Sequence, residues 1–384
     1  MRIVHMADTH LGFQQLHRID ENGRNIREQD VYDAFERAIA VTVELQPAAL
    51  IHAGDLFDSY HPTSAALRVA LDGFAQLKAA GIPIVIIAGN HSTPRGAAAE
   101  HVFGVLERFG GVHLIHGDTR TIRVGDLAVH GIPHHNDQER VTEALRQARP
   151  SPEARHNVLV AHIGLDGFGN LVGAEGSATT LPGEELVHAL DFDYIALGHL
   201  HAAARVSDNA AYAGSLERLS WADDEKNRKG ILEVNLDAEP DDDKYVRMHA
   251  IAGRRQFALD PIDGEAVADL TAAIVARADE AGSGALRGAM VRLTVRNVTA
   301  AAWNAIDHRA VGDAFSECLH FQRNAEFAGH ETQALQSVPE LHEFLLRWPG
   351  VQGTTIDTND FIRRAEEFLS LADEEIAARE SRAA

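Results

Sequence analysis

Short apolar runs, each cut off by glycine or a polar residue, punctuate the first two hundred residues of the chain. Ile3-Val4-His5-Met6 leads into Asp8-Thr9-His10, and Ala48-Ala49-Leu50-Ile51-His52-Ala53 leads into Gly54-Asp55. Ile84-Val85-Ile86-Ile87-Ala88 stops at Gly89-Asn90-His91. Later, Asn157 to Ala161 runs into His162, and Phe192 to Leu197 into Gly198-His199-Leu200-His201. Near-continuous apolar runs of this length predict strands buried on both faces, as in parallel sheets. Between the first two runs, Val31, Phe35, Ile39 and Val43 fall at helical spacing, which predicts an amphipathic helix from Asp30 to Leu45, closed by Pro47. Pro62-Thr63 opens a second helix reaching about Leu77. Strand, helix, strand in that order predicts parallel pairing, with strand ends opening into a crevice.

Beyond residue 90 the pattern predicts a helix over 97–109, and strands near 112–116, 121–124 and 127–132 that move to a second sheet layer. Gly164, Gly167, Gly169, Gly173 and Gly176 predict a loop, either mobile over a site or simply on the surface. The acidic stretch Asp237 to Asp243 reads as a border, followed by a strand from Tyr245. From about 251 the texture changes: a helix over 264–280, a Gly/Ser break at 282–284 and a strand from Met290 to Val295 predict a small α+β module. Pro339 to Ala384 predicts two helices whose apolar faces, with Leu341, Phe344 and Leu345 in one and Ile362, Phe368 and Leu369 in the other, need a surface to dock on. The expected divisions are 1–250, 251–335 and 340–384.

Composition narrows the possibilities. No stretch of ~18 apolar residues offers a membrane span, and no charged-then-apolar leader precedes the first strand, so a cytoplasmic protein is expected. Cys318 is the only cysteine, which excludes an intrachain disulfide and a cysteine-based metal site. A formal charge of −22 opposes phosphate binding and reads as a solvated acidic surface.

The strand-end residues carry the chemistry. Asp8, His10, Asp55, Asn90, His91, His162, His199 and His201 all follow apolar runs, a recurrence that separate caps and packing histidines do not explain. In an extended segment His199 and His201 point to the same side, so both face one cluster. Oxygen and imidazole donors without thiolate suit Mn²⁺, Zn²⁺ or Fe²⁺, and eight of them suit a dinuclear site bridged by Asp55. Two such metals clamp the attacking and leaving oxygens of an in-line displacement at phosphorus.

The order D-x-H, G-D-x-x-D, G-N-H, H, G-H-x-H resembles the calcineurin-like metallophosphoesterases. More narrowly, Asp8-Thr9-His10-Leu11-Gly12-Phe13, Gly54-Asp55-Leu56-Phe57 and Ala213-Gly214-Ser215-Leu216-Glu217-Arg218 resemble the Mre11/SbcD nucleases. That resemblance implies a four-layer αββα sandwich over 1–250, a DNA-binding capping domain over 251–335, and a helical segment over 340–384 that docks a Rad50/SbcC-type ATPase. It implies two Mn²⁺ ions, one held by Asp8, His10, Asp55 and His201, the other by Asp55, Asn90, His162 and His199. His91 would contact the scissile phosphate and protonate the leaving 3′ oxygen, and His17 would lie near DNA. The implied activity is 3′→5′ exonuclease and single-strand endonuclease cleavage in double-strand-break repair, by a homodimer. Ser92 stands where many relatives have Asp, which implies that a hydrogen bond supporting the ligands is missing or replaced, and Asp58 stands where some have His and others Asp, so it receives no role. Two other readings compete: a phosphodiesterase acting on small nucleotides, which would need neither cap nor terminal helices, and a non-catalytic DNA-end scaffold, which would need a degraded metal set.

Overall fold

A computed structural model describes residues 1–93, 102–166, 180–189, 191–221, 228–240, 242–251 and 253–328. The chain opens with strand β1 (Arg2–Met6), helix α1 (Ile26–Leu45), β2 (Leu50–His52), α2 (Ser64–Ala79), β3 (Ile84–Ile87), the short α3 (Phe103–Leu106) and β4 (Val112–Ile115). β1 to β4 pair in parallel, Val4 opposite Leu50 and Leu50 opposite Ile84. The later hairpin β13 (Gly230–Asn235) and β14 (Val246–Ala250) adds antiparallel to β1, giving a six-stranded sheet ordered β14-β13-β1-β2-β3-β4. The acidic stretch expected as a border is the connection inside this hairpin, because β14 returns to the first sheet.

The second sheet also has six strands. It comprises β5 (Arg120–Val124), β6 (Leu127–Ile132), β7 (His156–His162), β10 (Tyr194–Gly198), β11 (Ala204–Ser207) and β12 (Ala210–Tyr212), ordered β11-β12-β10-β7-β6-β5. Helix α4 (Gln138–Gln147) and a 3-10 helix (Gly183–Ala189) cover it, while β8 (Gly164–Leu165) and β9 (Thr180–Leu181) form a separate small pair. The change of layer comes after β4, one strand later than the apolar pattern indicated.

Three apolar cores show why the central strands carry no solvent-exposed face. Val4, Met6, Leu50, Ile84 and Ile86 pack on α1 and α2 through Phe35, Ile39 and Phe74. The alternate residues Ile3, Ile51, Val85 and Ile87 meet Val129, Val158, Val160 and Tyr194 of the other sheet. Leu159, Ala161, Ile195 and Leu197 then face Val141, Leu145 and Leu186. Period-2 alternation therefore persists, but it sorts one apolar core from another rather than core from solvent. The result is a four-layer αββα sandwich.

Helix starts are fixed by capping. Asn25 accepts hydrogen bonds from the Arg27 and Glu28 amides, so α1 begins earlier than its apolar stripe, and Thr63 accepts from Ala66 to start α2. Of the helix expected over 97–109, the described part is α3 and a 3-10 turn, Glu107–Phe109.

The C-terminal described unit is a four-stranded sheet built around β17 (Met290–Val298). β15 (Gln256–Ala258) and β16 (Ile262–Asp263) lie on one edge and β18 (His320–Phe327) on the other, all parallel to β17. Helices α5 (Leu270–Ala281), α6 (Ser283–Leu286), α7 (Ala300–Asn304) and α8 (His308–Ala314) accompany it, with Ile274, Leu286 and Val311 packed against Val291, Leu293 and Val295. The helix foreseen over 264–280 starts only at Leu270, capped by Asp269.

A partly buried ionic network joins this unit to the sandwich. Arg254 binds Asp30 of α1 through two nitrogens at 2.5 and 2.6 Å and donates to the Gly288 carbonyl. Asp30 also pairs with the wholly buried Arg27, and Arg27 faces Glu217 at 3.7 Å. The terminal helices and most of the glycine-rich segment expected from the sequence lie outside the described residues.

Candidate metal centre

Every candidate ligand sits where a strand stops, on one edge of the paired sheets. The backbone there bends sharply. Asp8, His10, Asp55 and His199 all have positive φ, as does His17, making five of the eight such non-glycine residues described. Left-handed backbone is uncommon outside glycine, and such strain concentrates at functional sites. Hydrogen bonds between adjacent loops hold it: Asp8 donates to Gly54, His10 to the Asp55 carbonyl and Leu11 to Leu56, at 2.9–3.0 Å. The Thr9 hydroxyl donates to the Leu56 carbonyl and accepts from His52 Nε2.

Close approach decides the glycines. A Cβ on Gly54 would lie 2.2 Å from His162 Nδ1, and one on Gly89 would lie 2.1 Å from Asp55 Oδ1. The glycine beside each ligand is the space into which another ligand fits.

Asp8, His10, Asp55, His162, His199 and His201 are buried, while Asn90 and His91 are half-buried at the rim. Ligand atoms of Asp8, His10 and His201 lie within 4.8 Å of one another, and so do those of Asp8, Asp55 and His162, and those of His10, Asp55 and His91. His162 Nδ1 donates to the Ala53 carbonyl at 2.8 Å, which turns Nε2 toward Asn90 Oδ1 at 2.9 Å and Asp55 Oδ2 at 3.0 Å. His10 Nδ1 meets Asp58 at 3.0 Å, leaving its Nε2 3.2 Å from His201 Nε2. Both oxygens of Asp8 accept the His199 amide. Asp8 thus touches residues of both sheets, as Asp55 does.

His199 and His201 both border the cluster, but not through the alternation of a strand. The chain leaves extended conformation at His199, whose φ is 100°, so the extended-strand expectation fails here. The His199 ring lies against His162, with centroids 5.4 Å apart, and the His201 ring against His10 at 5.0 Å. The two histidines lie against different members of the cluster. His17 is not brought in; it lines a cavity of about 410 Å³ with Gln14, Arg24 and Tyr32.

The charges are those of a site built for cations. Burial raises the Asp8 carboxyl to about 6, with Asp55 adding to the effect and His162 opposing it. Burial acts on Asp55 too, but His162, His10 and His91 outweigh it and hold that carboxyl well below the usual range. Burial disfavours the His162 cation, yet Asp55 and Asp8 raise its pKa to about 9. His199 is driven down to about 3, chiefly by burial. Among the described residues only histidines pair with Asp8 and Asp55. The buried Nδ1 of His201 has no hydrogen-bond partner. Facing lone pairs on oxygen and imidazole nitrogen, with no lysine or arginine to neutralise the carboxylates, fit divalent metal ions.

A family model described as calcineurin-like phosphoesterase matches residues 1–203. The chain belongs to the calcineurin-like phosphoesterase family. This phosphoesterase is 35% identical over 202 residues to the DNA double-strand break repair protein Mre11 of Sulfurisphaera tokodaii, covering 52% of this chain and 49% of that protein. It is 32% identical over 254 residues to the Mre11 of Methanococcus maripaludis, covering 63% and 64%. It is 34% identical over 244 residues to that of Haloferax volcanii, covering 62% and 50%. The matched part thus spans about half to two thirds of these curated relatives.

Asp58, which the motif reading left without a role, and two residues outside the motifs also belong to the phosphoesterase site. Asp58 orients two histidines at once, its carboxylate meeting His10 Nδ1 and its carbonyl accepting from His91 Nδ1 at 2.7 Å. Carboxylate and carbonyl partners of this kind set ring orientation and tautomer. His134 follows β6 just as the candidate ligands follow their strands. It is buried, its amide donates to Ala88, and burial, helped by His162, lowers its pKa to about 4. Pro133-His134 after an apolar run was the available signal. Lys229, also buried, donates to the His201 carbonyl at 2.7 Å and to Ser215 Oγ at 2.8 Å. That contact gives the Gly214-Ser215 segment a structural task, and nothing local in the sequence announced it.

Proposed function

We propose that the protein is a manganese-dependent DNA nuclease, with 3′→5′ exonuclease and single-strand endonuclease activity in double-strand-break repair. The observation that carries this reading is the gathering of Asp8, His10, Asp55, His162, His199 and His201 into one buried cluster with Asn90 and His91 at its rim. The likeness to Mre11 proteins supports DNA as the substrate. In this reading Asp8, His10, Asp55 and His201 hold one Mn²⁺, and Asp55, Asn90, His162 and His199 hold the second. Bound there, the ions supply charge neutralisation at phosphorus and lower the pKa of water.

The chain's own groups supply orientation and a proton. A carbonyl can only accept, so His91 Nδ1 carries the proton donated to Asp58, and proton transfer to substrate falls to Nε2. Protonated His91 donates from Nε2 to the departing 3′ oxygen, a role that Asp55, held ionised, cannot fill. Residues 251–335 act as a DNA-binding capping domain, and 340–384 dock a Rad50/SbcC-type ATPase, with the nuclease as a homodimer in the cytoplasm, associated with the nucleoid.

The test is cleavage of end-labelled duplex and hairpin DNA with Mn²⁺, with and without the ATPase. Release of nucleotides from 3′ ends and opening of the hairpin are expected, enhanced by the partner. Hydrolysis of cyclic nucleotides alongside inert DNA in both conditions refutes the reading.

A further inference from the structure

The loop that leaves the metal centre carries an exposed aromatic pair, Tyr60 and His61. Four large apolar side chains are exposed among the described residues: Ile19, Tyr60, Val187 and Phe327. Tyr60, at 37% exposure, stands two residues after Asp58, which touches both His10 and His91. Its ring lies against that of His61, with centroids 4.2 Å apart and planes inclined by 46°.

The loop is short and held at both ends. The Asp58 amide donates to Leu11, the His61 amide donates to Ser59 Oγ, and Thr63 caps α2. Pro62 fixes a further backbone angle. An aromatic ring presented on so tethered a segment loses little conformational freedom when a ligand covers it.

Charge decides what kind of contact this rim makes. Residues 58–63 read Asp-Ser-Tyr-His-Pro-Thr, without lysine or arginine, in a chain of net charge −22. Counterion release, the usual source of affinity for nucleic acid, is weak on such a surface. Stacking of a base on an aromatic face needs no charge and tolerates any sequence.

We propose that Tyr60, backed by His61, is a stacking platform for an unpaired nucleobase adjoining the scissile phosphate. This rests on the nuclease reading of the same site. A base inside a duplex is already stacked on its neighbours, so the platform favours single strands and frayed ends. It therefore acts on substrate choice rather than on bond cleavage.

The test uses the full chain with Mn²⁺ and two single-stranded oligonucleotides, one ordinary and one abasic beside the cleaved bond. For Tyr60→Ala on the ordinary strand, KM should rise about 5- to 150-fold, the span found for removing one base–aromatic stack. On the abasic strand the variant and the parent should differ little, and Tyr60→Phe should match the parent on both. Metal content of the variants is measured alongside and should be unchanged. Equal KM for Tyr60→Ala and parent on the ordinary strand overturns the platform while leaving the nuclease reading intact. An equal loss on both strands overturns it too, because the effect would not involve a base. If the parent cleaves neither strand yet hydrolyses bis(p-nitrophenyl) phosphate, the nuclease reading itself fails.

Discussion

Replacing Gly89 by alanine adds a single methyl group at the point where two ligand-bearing loops touch. The new Cβ would stand 2.1 Å from Asp55 Oδ1, 2.5 Å from the Asp55 amide nitrogen and 2.7 Å from its carboxyl carbon. Unstrained contacts lie near 3.5 Å or beyond, so about 1 Å of separation must be found. Rotation of the Asp55 side chain alone cannot provide it, because backbone nitrogen is among the blocked atoms. Asp55 is also tied to His162 at 3.0 Å and to the His91 amide at 2.9 Å, so its displacement moves both. β3 ends at Ile87, and its pairing with β2 and β4 stays in register. The fold should survive while the centre loosens. A misplacement of ~1 Å costs on the order of 100-fold in rate, and loss of a shared metal carboxylate should weaken metal binding by a comparable factor. Calorimetric titration with Mn²⁺, hydrolysis of bis(p-nitrophenyl) phosphate and circular dichroism together check this. A folded Gly89→Ala protein that binds two Mn²⁺ with parental affinity and turns over normally would refute the reasoning.

Other consequences are equally direct. Asp55→Ala should lose metal along with activity, whereas His91→Ala should keep metal and lose activity; elemental analysis of both proteins separates the roles. Arg27→Met removes the guanidinium that pairs with Asp30 and faces Glu217, leaving the buried Glu217 with the Arg218 and Arg254 amides as donors while Asp30 keeps Arg254, at a cost of roughly 3 kcal/mol. The urea midpoint should fall sharply and recover in part when Glu217→Gln is added. His5 lies wholly buried against the Tyr194 hydroxyl, and burial lowers its pKa to about 3. The unfolded chain takes up this proton below about pH 6.5 and the folded one only near 3. Its stability contribution is therefore complete above pH 6.5 and drains by about 1.4 kcal/mol per unit as pH falls toward 3. His5→Gln should flatten that part of the acid-unfolding curve; an unchanged slope would discount the buried neutral histidine.

Much was legible in the chain itself. The apolar runs marked β1, β2, β3, β7 and β10, because strands covered on both faces must be apolar throughout. The residue types at their ends marked the centre, because a cation site needs oxygen and imidazole wherever the protein places it. The change of sheet was misplaced at β4, since an edge strand and the first strand of a new layer have the same local pattern. Asp237 to Asp243 read as a border for a similar reason: a polar hairpin turn and a linker have the same composition.

What the sequence by itself determined was the inventory: five strand ends, their ligand-capable side chains and the glycines beside them. Only the tertiary structure decided the pairing of Asp58 with His10 and His91, the joining of His162 to Asp55 across two sheets, and the different neighbours of His199 and His201. Those choices depend on left-handed turns held by hydrogen bonds from a neighbouring loop, and on contacts between residues more than a hundred positions apart. Local propensity carries no record of either, because the energy that fixes them comes from packing the two sheets together.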